Sequence, residues 1–302
     1  MRLVTRSDFD GLACAVLLKA AGLITEYKFA HPKDLQDGLV EVTENDILAN
    51  VPYVEGCGMW FDHHSSENKR IGDTKYKGDS RHSPSCARVI WEYFGGHAKF
   101  SPTLDTMLAA VDKVDSGSLT LEDALNPQGW VLLGLMMDPR TGLGRYRDYR
   151  ISNYQLMLDM IDYCGTKTAE EVLAIPDVQE RTTRYFSQQE LFTDMLKRCT
   201  RVEGKVIVLD LRNEADIFSG NRFTLYSLYP ECNISIQVIW GLKQQNVVFT
   251  VGHSNLNHSC TVDVGSLMLA YGGGGHRRVG TCQIATEKAE EVLEALIAKM
   301  RD

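Results

Sequence analysis

The chain has 302 residues, of which 44% are apolar and 24% charged, and carries a formal charge of −8. That length suits two ordinary domains with real cores. The acidic balance excludes a broadly basic surface for long nucleic acid, yet leaves room for a small anionic substrate held by metals or a few local arginines.

In chain order, residues 2–7 read as a short buried strand, followed by Asp8-Phe9-Asp10-Gly11 and a small-residue helix over 12–21 that Gly22 ends. Two acids thus share a strand-to-helix turn. The helix N-terminus favours their charge, while their mutual repulsion calls for a cation; one acid alone would serve as an ordinary cap. Strands follow over 26–31 and 46–51, the second running into Pro52. Next comes Trp60-Phe61-Asp62-His63-His64. Neighbouring side chains on an extended chain point to opposite faces, so both histidines can serve one site only where a strand ends. Open α/β sheets bind ligands at that end. Carboxylate oxygen with imidazole nitrogen suits manganese, zinc or iron; solvated histidines at an ordinary strand end are the alternative.

Residues 83–95 and 103–112 read as helices, the second continuing into Lys113-Val114-Asp115-Ser116-Gly117. Asp112 and Asp115 share a face if that helix extends so far. Acids there oppose the helix dipole, so a metal or Lys113 should compensate. The loop over 138–150 carries four arginines with Tyr146 and Tyr149. Such a loop can hold phosphates and stack bases, or its arginines can simply pair with local acids. A helical stretch follows, with residues 179–199 as a connecting helix and a domain boundary near Glu203-Gly204. Beyond it, strands over 206–211, 233–240, 247–251 and 281–284, with helices over 225–228, 264–271 and 287–300, outline a small α/β domain. The eight cysteines are scattered with no Cys-x-x-Cys pair, which argues for reduced thiols. No apolar run approaches about 18 residues, and the N-terminus reaches Asp8 too soon for a signal peptide. A cytoplasmic protein without a membrane partner is expected.

Gly272-Gly273-Gly274-Gly275-His276-Arg277-Arg278 is the second strong signal. Successive glycines let backbone N–H groups converge on an anion, and the arginines supply donors matched to phosphate. A flexible linker is the alternative, but an apolar helix and a strand bracket this run.

Asp-x-Asp-Gly after the first strand, Asp-His-His at a later one, Asp-Ser-Gly and a C-terminal GGGGH together resemble the DHH phosphoesterase family. The likeness is to the branch with the DHH-associated C-terminal domain, whose members include oligonucleotide and dinucleotide phosphodiesterases, RecJ-like exonucleases and exopolyphosphatase-like proteins. The resemblance implies a manganese site of one or two ions, with magnesium as a substitute, built on Asp8, Asp10, Asp62, His63 and Asp115. Asp62, His63 and His64 would be catalytic, His64 beside the metals. Gly273, Gly274, Gly275, His276, Arg277, Arg278 and, more weakly, Arg222 would contact substrate phosphate from a C-terminal domain folding over the site. Two departures from the pattern stand out. Val4, Thr5 and Arg6 replace a histidine common before the acid pair, and Asn50 stands where the family places an aspartate.

The expected fold is α/β with two domains: a mostly parallel sheet flanked by helices over 1–180, a connecting helix over 181–203, and a smaller α/β domain over 204–302. The expected function is metal-dependent phosphoester hydrolysis of a small phosphate-rich substrate, a short oligonucleotide or dinucleotide. Partners would be that substrate or short single-stranded nucleic acid, with a homodimer as one allowed assembly. Exopolyphosphatase-like hydrolysis is the rival within enzymes; a degenerate member that binds nucleotide or polyphosphate without cleaving it is the rival outside them.

Overall fold

The computed structural model describes residues 1–64, 67 and 70–301, with His276 described by its backbone alone. Contacts divide the chain into two compact units, one of Met1–Leu119 with Pro127–Phe186, the other of Thr120–Asn126 with the chain from Ser187 onward.

In the first unit, β1 (Arg2–Thr5), β2 (Glu26–Phe29), β3 (Asp46–Ala49), β4 (Met59–Asp62) and β5 (Gly78–Ser80) form an all-parallel sheet in the order β2-β1-β3-β4-β5. Strands covered on both faces need continuous apolar runs, and Leu3, Val4, Ile47, Leu48, Trp60 and Phe61 are fully buried. The helix Phe9–Ala20 is buried from Phe9 to Leu18. Its small residues Ala13, Cys14 and Ala15 let it pack among the helices Cys86–Tyr93, Asp105–Asp115 and Asn153–Thr166. Because β2 lies on one side of β1 and β3 on the other, strand order reverses at β1. A reversal of this kind opens a crevice at the carboxyl ends of the strands.

The second unit holds a mixed sheet of β6 (Thr200–Glu203), β7 (Val206–Asp210), β8 (Ile234–Trp240), β9 (Val247–His253), β10 (Gly274–His276) and β11 (Val279–Ile284) in the order β10-β11-β9-β8-β7-β6. Only β7 and β8 run parallel among its pairings. Leu293, Leu296, Ile297 and Met300 of the helix Ala289–Met300 join Val206, Ile236, Val251 and Met268 in one core, each buried side chain contributing about 1.5–3 kcal/mol.

Two sequence expectations change. The stretch read as one connecting helix is two, Pro176–Ser187 and Gln189–Cys199. They meet at Gln188, whose side-chain oxygen accepts from Ser219 N at 2.7 Å. The glycine run is not a loop of converging amides: Gly274–His276 is an edge strand paired with β11. Its glycines answer to close packing, since a Cβ on Gly273 would lie 2.1 Å from Thr281 O and one on Gly275 2.2 Å from Val279 O. Among the described residues no helix is long and apolar enough to cross a membrane.

Candidate metal centre

The acids and histidines singled out in the sequence gather at the carboxyl end of the parallel sheet. After β1 the chain turns through Arg6, Ser7 and Asp8 into its first helix. Asp8 caps that helix, its Oδ1 accepting from Gly11 N at 2.9 Å. Gly11 tolerates no side chain, because a Cβ would sit 2.0 Å from Arg6 O. Capping therefore uses one acid and leaves Asp10 for other work. Asp10 is buried and bridges to a second helix: Oδ2 accepts from Cys86 N and Oδ1 from Ala87 N, both at 2.8 Å. Those amides open the helix Cys86–Tyr93 and have no partner within it.

Asp62 ends β4 fully buried, and His63 and His64 follow it. His63 Nδ1 lies 3.1 Å from Ser83 O. A carbonyl only accepts, so Nδ1 carries the proton and Nε2 presents a lone pair in the neutral ring. That Nε2 stands 3.2 Å from Asp115 Oδ2 and 3.7 Å from Asp10 Oδ2. Among the described residues it has no hydrogen-bond partner, and neither has the buried Asp62 Oδ2. Ligand atoms of Asp10, His63 and Asp115 lie within 4.8 Å of one another, as do those of Asp62, His63 and His64. A lone pair facing two carboxylates is repulsive unless a proton or a metal ion sits between them. Among the described residues Asp10, Asp62 and Asp115 have no lysine or arginine partner within 4.0 Å. The donor set fits a divalent ion, with Ser83 fixing the histidine tautomer from behind as outer partners of metal ligands do.

Titration follows the same crowding. Burial pushes the Asp10 carboxyl up to about 7 and the charge of Asp8 adds to it, against the two N–H donors. Asp115 is raised to about 7 by desolvation and then by Asp10; with 29% of its side chain open, the neighbouring charge is the firmer cause. Burial works against charge on His64, but its 2.8 Å contact with Asp62 Oδ1 outweighs that and lifts it to about 9.

Asn50 closes β3 in the left-handed region, φ 56, a conformation asparagine tolerates better than most residues. Its backbone N–H reaches Phe61 O at 3.1 Å and Cys86 Sγ at 3.2 Å, while its side-chain amide donates to Asp8 Oδ1 at 3.1 Å. Arg6 Nε meets Asp8 Oδ2 at 3.0 Å. Asp8 is thus held from two sides. Asp112, three residues before Asp115, does not join the cluster. Ser85 Oγ and Arg88 bind it at 2.5–2.9 Å.

Sequence reasoning missed Ser83, which acts through its carbonyl and leaves no side-chain signal; of the four arginines read in the loop over 138–150, it could not single out Arg140. The latter is clamped on Asp138 at 2.7–3.0 Å and feels the charges of Asp115 and Asp8. Elsewhere the arginine-tyrosine loop pairs locally: Arg150 with Asp177, and Arg184 with Asp148. The Arg184 guanidinium lies 4.3 Å from the centre of the Tyr146 ring, and that of Arg181 3.8 Å from the centre of Tyr149. These arginines occupy ring faces that the sequence offered to bases.

In the second unit, Arg278 Nη2 contacts Ser254 O at 3.3 Å and His258 Nδ1 at 3.0 Å. Arg277 is exposed, and Arg222 lies over the Phe223 ring at 4.0 Å. Gly273 leads into β10, and Gly274 and Gly275 lie in it. His276 has its backbone in that strand, and its side chain lies outside the described residues.

No protein-family model and no curated protein matches the chain. Among solved structures it is 48% identical to the pGpG-specific phosphodiesterase PggH from Vibrio cholerae, over 99% of this chain and 98% of that one, with a TM-score of 0.84. The chain belongs to the DHH phosphoesterase family. The α/β fold and phosphoesterase class expected from its motifs accord with that membership. A more distant likeness, to manganese-bound RecJ from Thermus thermophilus, is one of fold: 15% identity over 99% of this chain and 51% of that one, TM-score 0.51. Asp62, His63 and His64, the Asp-His-His string itself, lie together at the end of β4.

Proposed function

We propose that the chain is a manganese-dependent phosphodiesterase acting on a linear dinucleotide, pGpG or a close relative, at the cluster of Asp10, Asp62, His63 and Asp115, with Asp8 beside it as a further candidate ligand. One observation carries the reading. His63 Nε2 is turned toward Asp10 and Asp115 with its other nitrogen tied to a carbonyl, an arrangement that offers a nitrogen and two carboxylates to one divalent ion. The substrate class rests on the relative from Vibrio cholerae, a pGpG-specific phosphodiesterase of nearly the same length.

A divalent ion, one or two, would supply an acidified water and charge neutralisation at the phosphoryl oxygens. The protein's own share is geometric. Asp10 is fixed by two backbone amides, His63 by Ser83 O, and Asp115 closes the set from the end of its helix. Asp62 turns His64 with its Oδ1 and keeps Oδ2 for a ligand, so His64 stands as a charged donor for a phosphate oxygen. Arg6 and Arg140 add positive charge around these acids. In the second unit Arg222, Arg277, Arg278, His276, Gly273, Gly274 and Gly275 are proposed to contact phosphate.

The test is product analysis after incubation with pGpG, a cyclic dinucleotide or polyphosphate, with manganese or with chelator. Nucleoside monophosphate should appear from pGpG with manganese alone, and vanish with His63→Ala. Orthophosphate from polyphosphate would favour an exopolyphosphatase instead. A second reading, binding without cleavage, is favoured by Asn50, which brings an amide rather than a carboxylate to Asp8. Tight dinucleotide binding with no product would support it.

A further inference from the structure

A cavity of about 170 Å³ lies in the first unit, walled by Leu133, Met136, Met137, Met157 and Met160. It adjoins the acid cluster through the chain itself. Ser7, on its wall, is the residue between Arg6 and Asp8, and Asp138, another wall residue, clamps Arg140, whose charge is felt by Asp8 and Asp115. The one cation in the lining is already employed. Arg181 gives Nε to Asn153 Oδ1 at 3.2 Å, Nη1 to Asp177 O and Glu180, and Nη2 to Ile151 O. No charge remains there for a phosphate, so the cavity suits a neutral group. Two polar groups remain uncommitted among the described residues: Ser7 Oγ, and the Nδ2 of Asn153, whose Oδ1 serves Arg181. Apolar walls with a few convergent polar groups are the make-up of a ligand pocket. Thioethers make favourable contacts with aromatic rings and adapt to their outline.

We propose that this cavity seats one nucleobase of the substrate, with Asn153 and Ser7 hydrogen-bonding its edge and the methionines against its faces. The inference rests on the dinucleotide reading above and adds where specificity for the base resides.

Met157→Trp, which fills the cavity, tests it with manganese and two substrates, pGpG and the base-free diester bis(p-nitrophenyl) phosphate. The variant should raise KM for pGpG at least about tenfold, as lost ground-state binding does, while turnover of the base-free diester stays unchanged. Unchanged pGpG kinetics, or equal damage to both substrates, would overturn the proposal. A second measurement needs no variant: methionine methyl NMR of the native chain with added guanosine. Signals of Met136, Met137, Met157 or Met160 should shift; a spectrum in which none moves would also overturn it. If the native chain cleaves neither diester, the phosphodiesterase reading fails, and the guanosine titration still decides the pocket.

Discussion

The two ends of the parallel sheet use the same residue types to opposite effect. At its amino end Asp46, the first residue of β3, meets Arg2, the first residue of β1, through two hydrogen bonds of 2.6 and 2.9 Å. Thr43 donates to it twice more, from N at 2.7 Å and from Oγ1 at 3.1 Å. Burial pushes its carboxyl up, but those donors win and hold it below the ordinary value. At the carboxyl end Asp10 and Asp115 are raised to about 7, and among the described residues Asp62 Oδ2 and His63 Nε2 have no hydrogen-bond partner. A buried acid that the chain has answered belongs to the fold. One left without a lysine or arginine partner among the described residues waits for a cation from elsewhere. Asp112 and Asp115 repeat the contrast within one helix.

The contrast can be broken at several points. The largest effect is expected at His63→Ala, which should lower manganese-dependent turnover by more than about 100-fold, beyond the range of groups that merely orient a ligand; steady-state assays on pGpG measure it. Asp112→Ala should instead spare turnover and cost about 1–3 kcal/mol of stability, because it strands Arg88 and Ser85, as read from urea midpoints. Arg278→Ala should raise KM by about tenfold with kcat little changed, the size of one charge-assisted hydrogen bond. The smallest effect concerns pH. Asp46, lowered in the folded state, stabilises fully above its unfolded value of about 3.9, and that contribution fades as pH falls through its folded value. Asp46→Asn should therefore be less stable than the native chain at pH 6, with the gap narrowing in acid; melting curves across that range check it.

Much of this was legible in the sequence. Apolar Trp60-Phe61 before Asp62-His63-His64 gave a strand end, and the acid pair before a small-residue helix gave the adjoining turn. Whether Asp8 or Asp10 capped that helix could not be read, since both spacings permit it; the Asp8 Oδ1 bond to Gly11 decides. Asp112 and Asp115 looked equivalent by spacing, and only the position of Arg88 across the helix pair separates them. Ser83 was invisible because its contribution is a carbonyl that any residue carries. The glycine run suggested an anion nest, yet pairing with β11 accounts for Gly273 and Gly275 by sterics alone. Tyr146 and Tyr149 suggested base stacking, but Arg181 and Arg184, more than thirty residues away in sequence, lie over their rings.

The most direct test of the account is manganese binding by calorimetry, run on the native chain and on Asp115→Asn. The account predicts binding by the native chain, markedly weakened in the variant, together with a higher melting temperature for the native chain once manganese is added. Equal manganese affinity in both, or none in either, would contradict the claim that the unanswered acids at the carboxyl end of the sheet form a metal centre.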